Sequence, residues 1–194
     1  ECGGLDILIN NAGVSAHANF EDVPADKLVW YEQLMRVNLW GSIYCTHAAI
    51  PHLKQTQGRI VALSSLAGLV GIPGRTAYCA SKFAMTGFFE ALRTELKDSG
   101  VSVTVAYPGV VDTQIRRRGL NAMGETAGES GLREDNAMTT QECARLIIDA
   151  MVRRKRDVVM TFKGKWGRCV KLMAPGLVDH MALAAVKANF RPRA

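Results

Sequence analysis

The chain has 194 residues, with 24 Lys/Arg against 18 Asp/Glu, and is 48% hydrophobic and 22% charged. That size and balance suit one domain with a sizeable core, residues 1–194 forming a single unit. No apolar run approaches the roughly 18 residues of a membrane-spanning helix, and no basic and apolar leader opens the sequence.

The five cysteines (Cys2, Cys45, Cys79, Cys143, Cys169) are dispersed without a C-x-x-C pair. This argues against a disulfide framework or zinc site and suits a cytoplasmic protein. The four histidines lack metal-ligand spacing. The charge is uneven: residues 151–194 hold eleven Lys/Arg against two Asp/Glu, or +9, and the rest holds thirteen against sixteen, or −3, giving the net +6. Without aromatic interleaving or a nucleic-acid motif, that basic end does not indicate nucleic-acid binding.

In chain order, residues 5–10 are a continuous apolar strand, as in a sheet covered on both faces. Residues 24 to about 55 form a helix broken near Leu34, with Pro24 as its first residue. A strand over 59–63 is followed by a helix from 77 to about 99, stopped at Gly100. A valine-rich strand covers 101–107. Residues 115–138, interrupted by Gly119, Gly124, Gly128, Gly131 and Asn136, form a loop. Thr139 or Thr140 caps a helix to about 154, with Glu142 near the capping-box position. A fourth strand covers 157–162, and a helical tail over 166–189 breaks near Pro175-Gly176. Strand–helix alternation with apolar strands predicts an α/β fold with a parallel sheet and right-handed crossovers.

One helix carries the chemistry. Tyr78 and Lys82 lie four residues apart, on one helix face. An ammonium near a phenol stabilises the phenolate, and a tyrosine tuned in this way exchanges a proton near neutral pH. Ser65 lies thirteen residues before Tyr78, after an apolar run. Asn10-Asn11-Ala12-Gly13 and Pro108-Gly109-Val110-Val111-Asp112-Thr113 each follow another apolar run, and Asn38 sits in Val37-Asn38-Leu39.

Together these segments resemble the classical short-chain dehydrogenase/reductase family from about residue 3 onward. The resemblance implies a Rossmann-like, doubly wound parallel sheet and an NAD- or NADP-dependent exchange of a secondary alcohol and a ketone. Tyr78 is then the acid/base. Lys82 tunes it and holds the nicotinamide ribose, Ser65 holds the substrate oxygen, and Asn38 bends a helix and holds a relay water. Asn10, Ala12 and Gly13 line the adenosine side of the cofactor. Pro108 and Gly109 end a strand, while the Val111 backbone and Thr113 hydroxyl meet the carboxamide. Plainer roles stay open: Ser64 could be the matching serine, Asn38 a packing kink, and Asn10 and Asn11 strand-end turn residues.

The glycine fingerprint that receives a pyrophosphate at a helix N-terminus is not found in these residues, and Gly68, Gly71 and Gly74 fall after Ser65 instead. The chain therefore reads as a partial domain lacking its first βαβ half, which also holds the residue selecting NAD or NADP. The rival expectation is a catalytically incompetent fragment or a dimerisation module. The family pattern also implies a homodimer or homotetramer and a substrate lid over residues 114–138, where Arg116, Arg117 and Arg118 could favour an acidic substrate. The basic, Trp- and Met-bearing segment after Lys163 is similar to steroid- and retinoid-type carbonyl reductases, and could lie in a membrane interface as peripheral contact or simply pack over the cleft.

Overall fold

The computed structural model describes residues 3–129 and 137–189. Strands β1 (Ile7–Asn10), β2 (Arg59–Leu63), β3 (Ser102–Tyr107) and β4 (Asp157–Val159) form one parallel sheet in the order β1-β2-β3-β4. Side chains alternate across it. Ile60 and Ala62 of β2 and Val103, Val105 and Tyr107 of β3 pack with α2 (Gly41–Thr56) and α3 (Thr76–Glu95) through Leu53, Met85 and Phe89. On the other face, Val61 and Ala106 meet Cys143, Ile147 and Met151 of α4 (Thr140–Val152). Cover on both faces explains why these strands read as unbroken apolar runs. The outer edge of β1 pairs with no strand among the described residues, and Ile7 and Ile9 there are exposed.

Several boundaries differ from the sequence expectation. Pro24 precedes a short 3-10 turn, Ala25–Lys27, and α1 (Val29–Met35) begins only after it. The break expected near Leu34 is a π-helical turn, Arg36–Trp40, joining α1 to α2. Of the two candidate caps before α4, Thr139 fills the role, its hydroxyl accepting from the Glu142 N–H at 3.2 Å. Gly100, at φ 74°, turns the chain into β3.

The strand expected over 157–162 is shorter because β3, its only partner among the described residues, ends at Tyr107 opposite Val159. Thr161 then caps α5 (Phe162–Met173), accepting from the Gly164 N–H at 3.0 Å, so the tail becomes helical well before Trp166. The break at Pro175 is present and opens α6 (Pro175–Asn189). The expected lid is turn-rich where described. Leu120 within it pairs with Ala16, and residues 130–136, including Gly131 and Asn136, lie outside the described residues.

Candidate active site

Parallel pairing aligns the strand ends. Asn10 lies level with Ala62, Leu63 with Ala106, and Tyr107 with Val159. The residues that follow each strand therefore share the carboxyl edge of the sheet, where open α/β sheets bind ligands.

Lys82 reaches this edge from α3. Its Nζ donates to the carbonyl of Leu63, the last residue of β2, at 2.7 Å, and lies 3.7 Å from Met85 Sδ. The residue is only 4% exposed, and desolvation pushes its pKa down to about 8. Nζ stands 5.8 Å from the Tyr78 ring centroid, one helical turn away. Gly13 permits the approach from the β1 side: a Cβ there would sit 3.2 Å from Asn38 Oδ1 and 3.7 Å from Lys82 Nζ.

The two candidate serines have different surroundings. Ser64 is buried, its hydroxyl donating to the Lys82 carbonyl and lying 3.1 Å from Thr86 Oγ1, so it fastens β2 to α3. Ser65 is half-buried and caps a short turn, Leu66–Gly68, by accepting from the Ala67 N–H at 3.2 Å. Ala67 in turn packs with Tyr78 and Cys79, which brings the Ser65 turn against the tyrosine.

Asn38 is fully buried in the π turn, and its amide joins three segments. Oδ1 accepts from the Val14 N–H at 2.8 Å, while Nδ2 donates to the Val14 carbonyl and to Ser81 Oγ, each at 2.9 Å. Ser81 Oγ then donates to the Tyr78 carbonyl at 2.8 Å. The Asn10 amide turns inward to Thr46 Oγ1 at 3.0 Å and fixes β1 to α2, while Ala12 just beyond is exposed and Gly13 half-buried. After β3, the Pro108 carbonyl accepts from the Leu66 N–H, and Gly109 lies close against Thr161. The Val110 carbonyl and Asp112 N–H both bond Met138. Peptide groups alternate in an extended chain, so those of Val111 face the other way. Thr113 is half-buried just beyond.

Two residues were not expected from the sequence. Arg75, one turn before Tyr78, places its guanidinium carbon 4.3 Å from the Tyr78 ring centroid and hydrogen-bonds Ser15 through Nη2. Its Nε is buried without a partner among the described residues, and burial lowers its pKa. Ser81 is the other. Its spacing of three from Tyr78 was visible, but its partner Asn38 is distant in sequence.

Comparison with known proteins agrees with this geometry. A model of the family described as short chain dehydrogenase matches residues 1–123. The chain is 34% identical over 177 residues to mouse "Dehydrogenase/reductase SDR family member 7B", covering 90% of this chain and 54% of that protein. It is 39% identical over 156 residues to Arabidopsis thaliana "11-beta-hydroxysteroid dehydrogenase-like 4A", covering 80% and 50% respectively. The chain thus spans about half the length of the curated relatives it matches. A short-chain dehydrogenase from Burkholderia cenocepacia, solved in complex with NADP, shares the fold with a TM-score of 0.77 at 22% identity, over 92% of this chain and 69% of that one. An alcohol dehydrogenase from Thermococcus sibiricus, complexed with 5-hydroxy-NADP, aligns with a TM-score of 0.64 at 19% identity, over 81% and 63%. The chain belongs to the short-chain dehydrogenase family.

Proposed function

We propose that the protein containing this chain is an NAD(P)-dependent oxidoreductase that interconverts a secondary alcohol and a ketone, with Tyr78 as general acid/base. One observation carries the reading: the Lys82 ammonium is fixed to the carboxyl edge of the sheet and stands beside the Tyr78 ring, against which the Ser65 turn packs.

The residues present suit a nicotinamide nucleoside. Beside its contacts to the Leu63 carbonyl and Met85 Sδ, Lys82 keeps a third donor for a ribose hydroxyl. The outward peptide groups of Val111 and the Thr113 hydroxyl would hold the carboxamide, and Ala12 and Gly13 would line the adenosine side. The pyrophosphate-binding glycine turn is not among these residues. When bound, the reduced nicotinamide supplies the hydride. In reduction, Tyr78 gives its phenolic proton to the carbonyl oxygen as the carbon accepts the hydride, and in oxidation the phenolate takes the proton back. Ser65 donates a hydrogen bond to the same oxygen and orients it. Lys82, still largely protonated near pH 7 with a pKa of about 8, stabilises the phenolate.

Tyr78→Phe should lower kcat by about 10²–10⁴-fold with NADP(H) or NAD(H) affinity retained. Retained turnover would end this assignment. A second reading, a module that only assembles subunits, is favoured by the exposed aromatic side chains of α2 and the π turn before it. Calorimetric titration of the chain with both cofactors separates the two, since tight binding contradicts the second. We also propose a homo-oligomer paired through α2, whose outward surface carries Tyr44 at 66% exposure, continuing from Trp40 and Val37 in the preceding π turn. Trp40→Glu should lower the mass seen by light scattering, and an unchanged mass would reject that face.

A further inference from the structure

Tyr78 has two cations beside its ring. Arg75 stands three residues before it, at the cap of α3, and Lys82 four residues after it, spacings that bring both back to the tyrosine. The Lys82 Nζ is 5.8 Å from the ring centroid and is held by the Leu63 carbonyl. The Arg75 guanidinium carbon is nearer, at 4.3 Å, and lies over the ring. No carboxylate pairs with Arg75 among the described residues. Its Nη2 donates to the Ser15 hydroxyl, and its buried Nε has no partner there. A cation placed in this way has given up part of its water without gaining a counter-ion. The ring beneath it is the electron-rich group it faces.

Ser15, which holds the guanidinium, is itself buried and firmly placed. Its neighbour Val14 is bonded at both peptide groups by Asn38, whose amide also reaches Ser81 and, through it, the Tyr78 carbonyl. Two consecutive residues after β1 thus grip Tyr78 twice, Val14 through the backbone and Ser15 through the cation on the ring. The Ser15 carbonyl also accepts from the Leu120 N–H at 2.9 Å, which anchors the segment beyond Thr113 at the same point. The other titratable groups nearby are few. Cys79 follows Tyr78 on α3, and burial raises the pKa of its thiol, which keeps it neutral. The His17 ring, on the segment after β1, lies against Gly74. Arg116, on the segment after β3, adds positive charge near Arg75. Lys82 loses its proton above about pH 8, whereas an arginine keeps its proton across the range in which enzymes work.

We propose that Arg75 is a positioning residue for the acid/base step, fixing the Tyr78 ring and stabilising its phenolate as a second cation alongside Lys82. As the phenolic proton leaves, negative charge spreads into the ring, and the stacked guanidinium offsets it. The proton passes between the Tyr78 oxygen and the substrate oxygen, and Arg75 neither gives nor takes one. The catalytic use of this contact rests on the oxidoreductase reading, whereas the stabilised phenolate does not.

The test titrates the whole protein by the ultraviolet absorbance of tyrosinate, the Tyr78 share being the part that Tyr78→Phe removes. In Arg75→Leu that share should develop about 0.5–1 pH unit higher than in wild type. Arg75→Lys keeps the charge without the planar stack and should show about half that displacement. Ser15→Ala removes only the bond that holds the guanidinium, should displace the curve in the same direction, and carries the test if Arg75→Leu does not fold. A Tyr78 curve that stays in place, even with a lowered unfolding midpoint, overturns the proposal, since Arg75 would then only tie the Ser15 segment. So does an Arg75→Lys curve that coincides with Arg75→Leu, because the charge would not be what acts. With NADP or NAD and alcohol saturating, the rise of kcat with pH in oxidation should move upward by the same amount in Arg75→Leu. A displaced absorbance curve in a protein that turns over no alcohol would reject the oxidoreductase reading and uphold the phenolate contact.

Discussion

Replacing Lys82 by methionine exchanges a buried ammonium for an apolar chain of similar length and removes one titration from the folded state. Lys82 is 4% exposed, and burial lowers its pKa from 10.5 to about 8. Between those two values the unfolded chain binds more protons than the folded one, so lysine-bearing protein gains stability as pH rises through that window. Below about pH 8 the full burden remains, on the order of 3 kcal/mol at pH 7, and at pH 9.5 it has fallen to about 1 kcal/mol. Against this, methionine leaves the Leu63 carbonyl without its donor, a cost of about 1–2 kcal/mol that does not depend on pH. Lys82→Met should therefore be the more stable protein by about 1–2 kcal/mol at pH 7, the advantage shrinking by about 2 kcal/mol toward pH 9.5. Urea unfolding of both proteins at pH 7, 8 and 9.5, with matching m-values, measures the gap, and other titrating groups cancel in the difference. A gap that stays constant or widens with pH would refute the reasoning, because Lys82 would then not be desolvated.

Two further expectations follow from the site. Ser64→Ala should cost about 1–2 kcal/mol of stability, through its bonds to the Lys82 carbonyl and Thr86, with turnover largely kept. Ser65→Ala should lower kcat by about a hundredfold with only a small change in unfolding midpoint. Kinetics and thermal denaturation of the pair decide, and a reversed pattern would move the substrate contact to Ser64. Arg75→Leu removes the cation stacked on Tyr78, an interaction of about 0.5–2 kcal/mol, and should reduce kcat several-fold with cofactor affinity unchanged. If cofactor affinity drops and kcat holds, Arg75 serves only to tie the Ser15 loop.

Much of the fold was legible because fully covered parallel strands leave unbroken apolar runs. β2 matches its expected span, and the cap at Thr139 and the stop at Gly100 carry local chemistry. The start of α5 was not legible. Val158, Val159 and Met160 continue a strand pattern, but β3 offers no backbone beyond Tyr107 to pair with them, and that limit lies in another part of the chain. The glycines at 164 and 167 also masked the helix, although Gly164 is what allows it to lie on Leu66. In the site, that Tyr78 and Lys82 share one helix face was readable from their spacing. The Arg75 contact was not, because its meaning depends on Ser15, which the fold brings from sixty residues away. Spacing from Tyr78 already pointed to Ser65, but the work of Ser64 needed the third dimension: only the packing shows that its hydroxyl fastens β2 to α3.

The buried Asn38 amide has a consequence for how the cleft moves. Through Val14 on one side and Ser81 on the other, a single side chain couples the turn after β1 to the helix carrying Tyr78. Opening either wall alone would strand at least one amide or peptide group in a dry interior. The two walls should therefore breathe in concert. Amide hydrogen exchange at Val14 and through the first turns of α3 should then show a shared opening free energy, so that any adjustment to a bulky ligand falls to the segment beyond Val111.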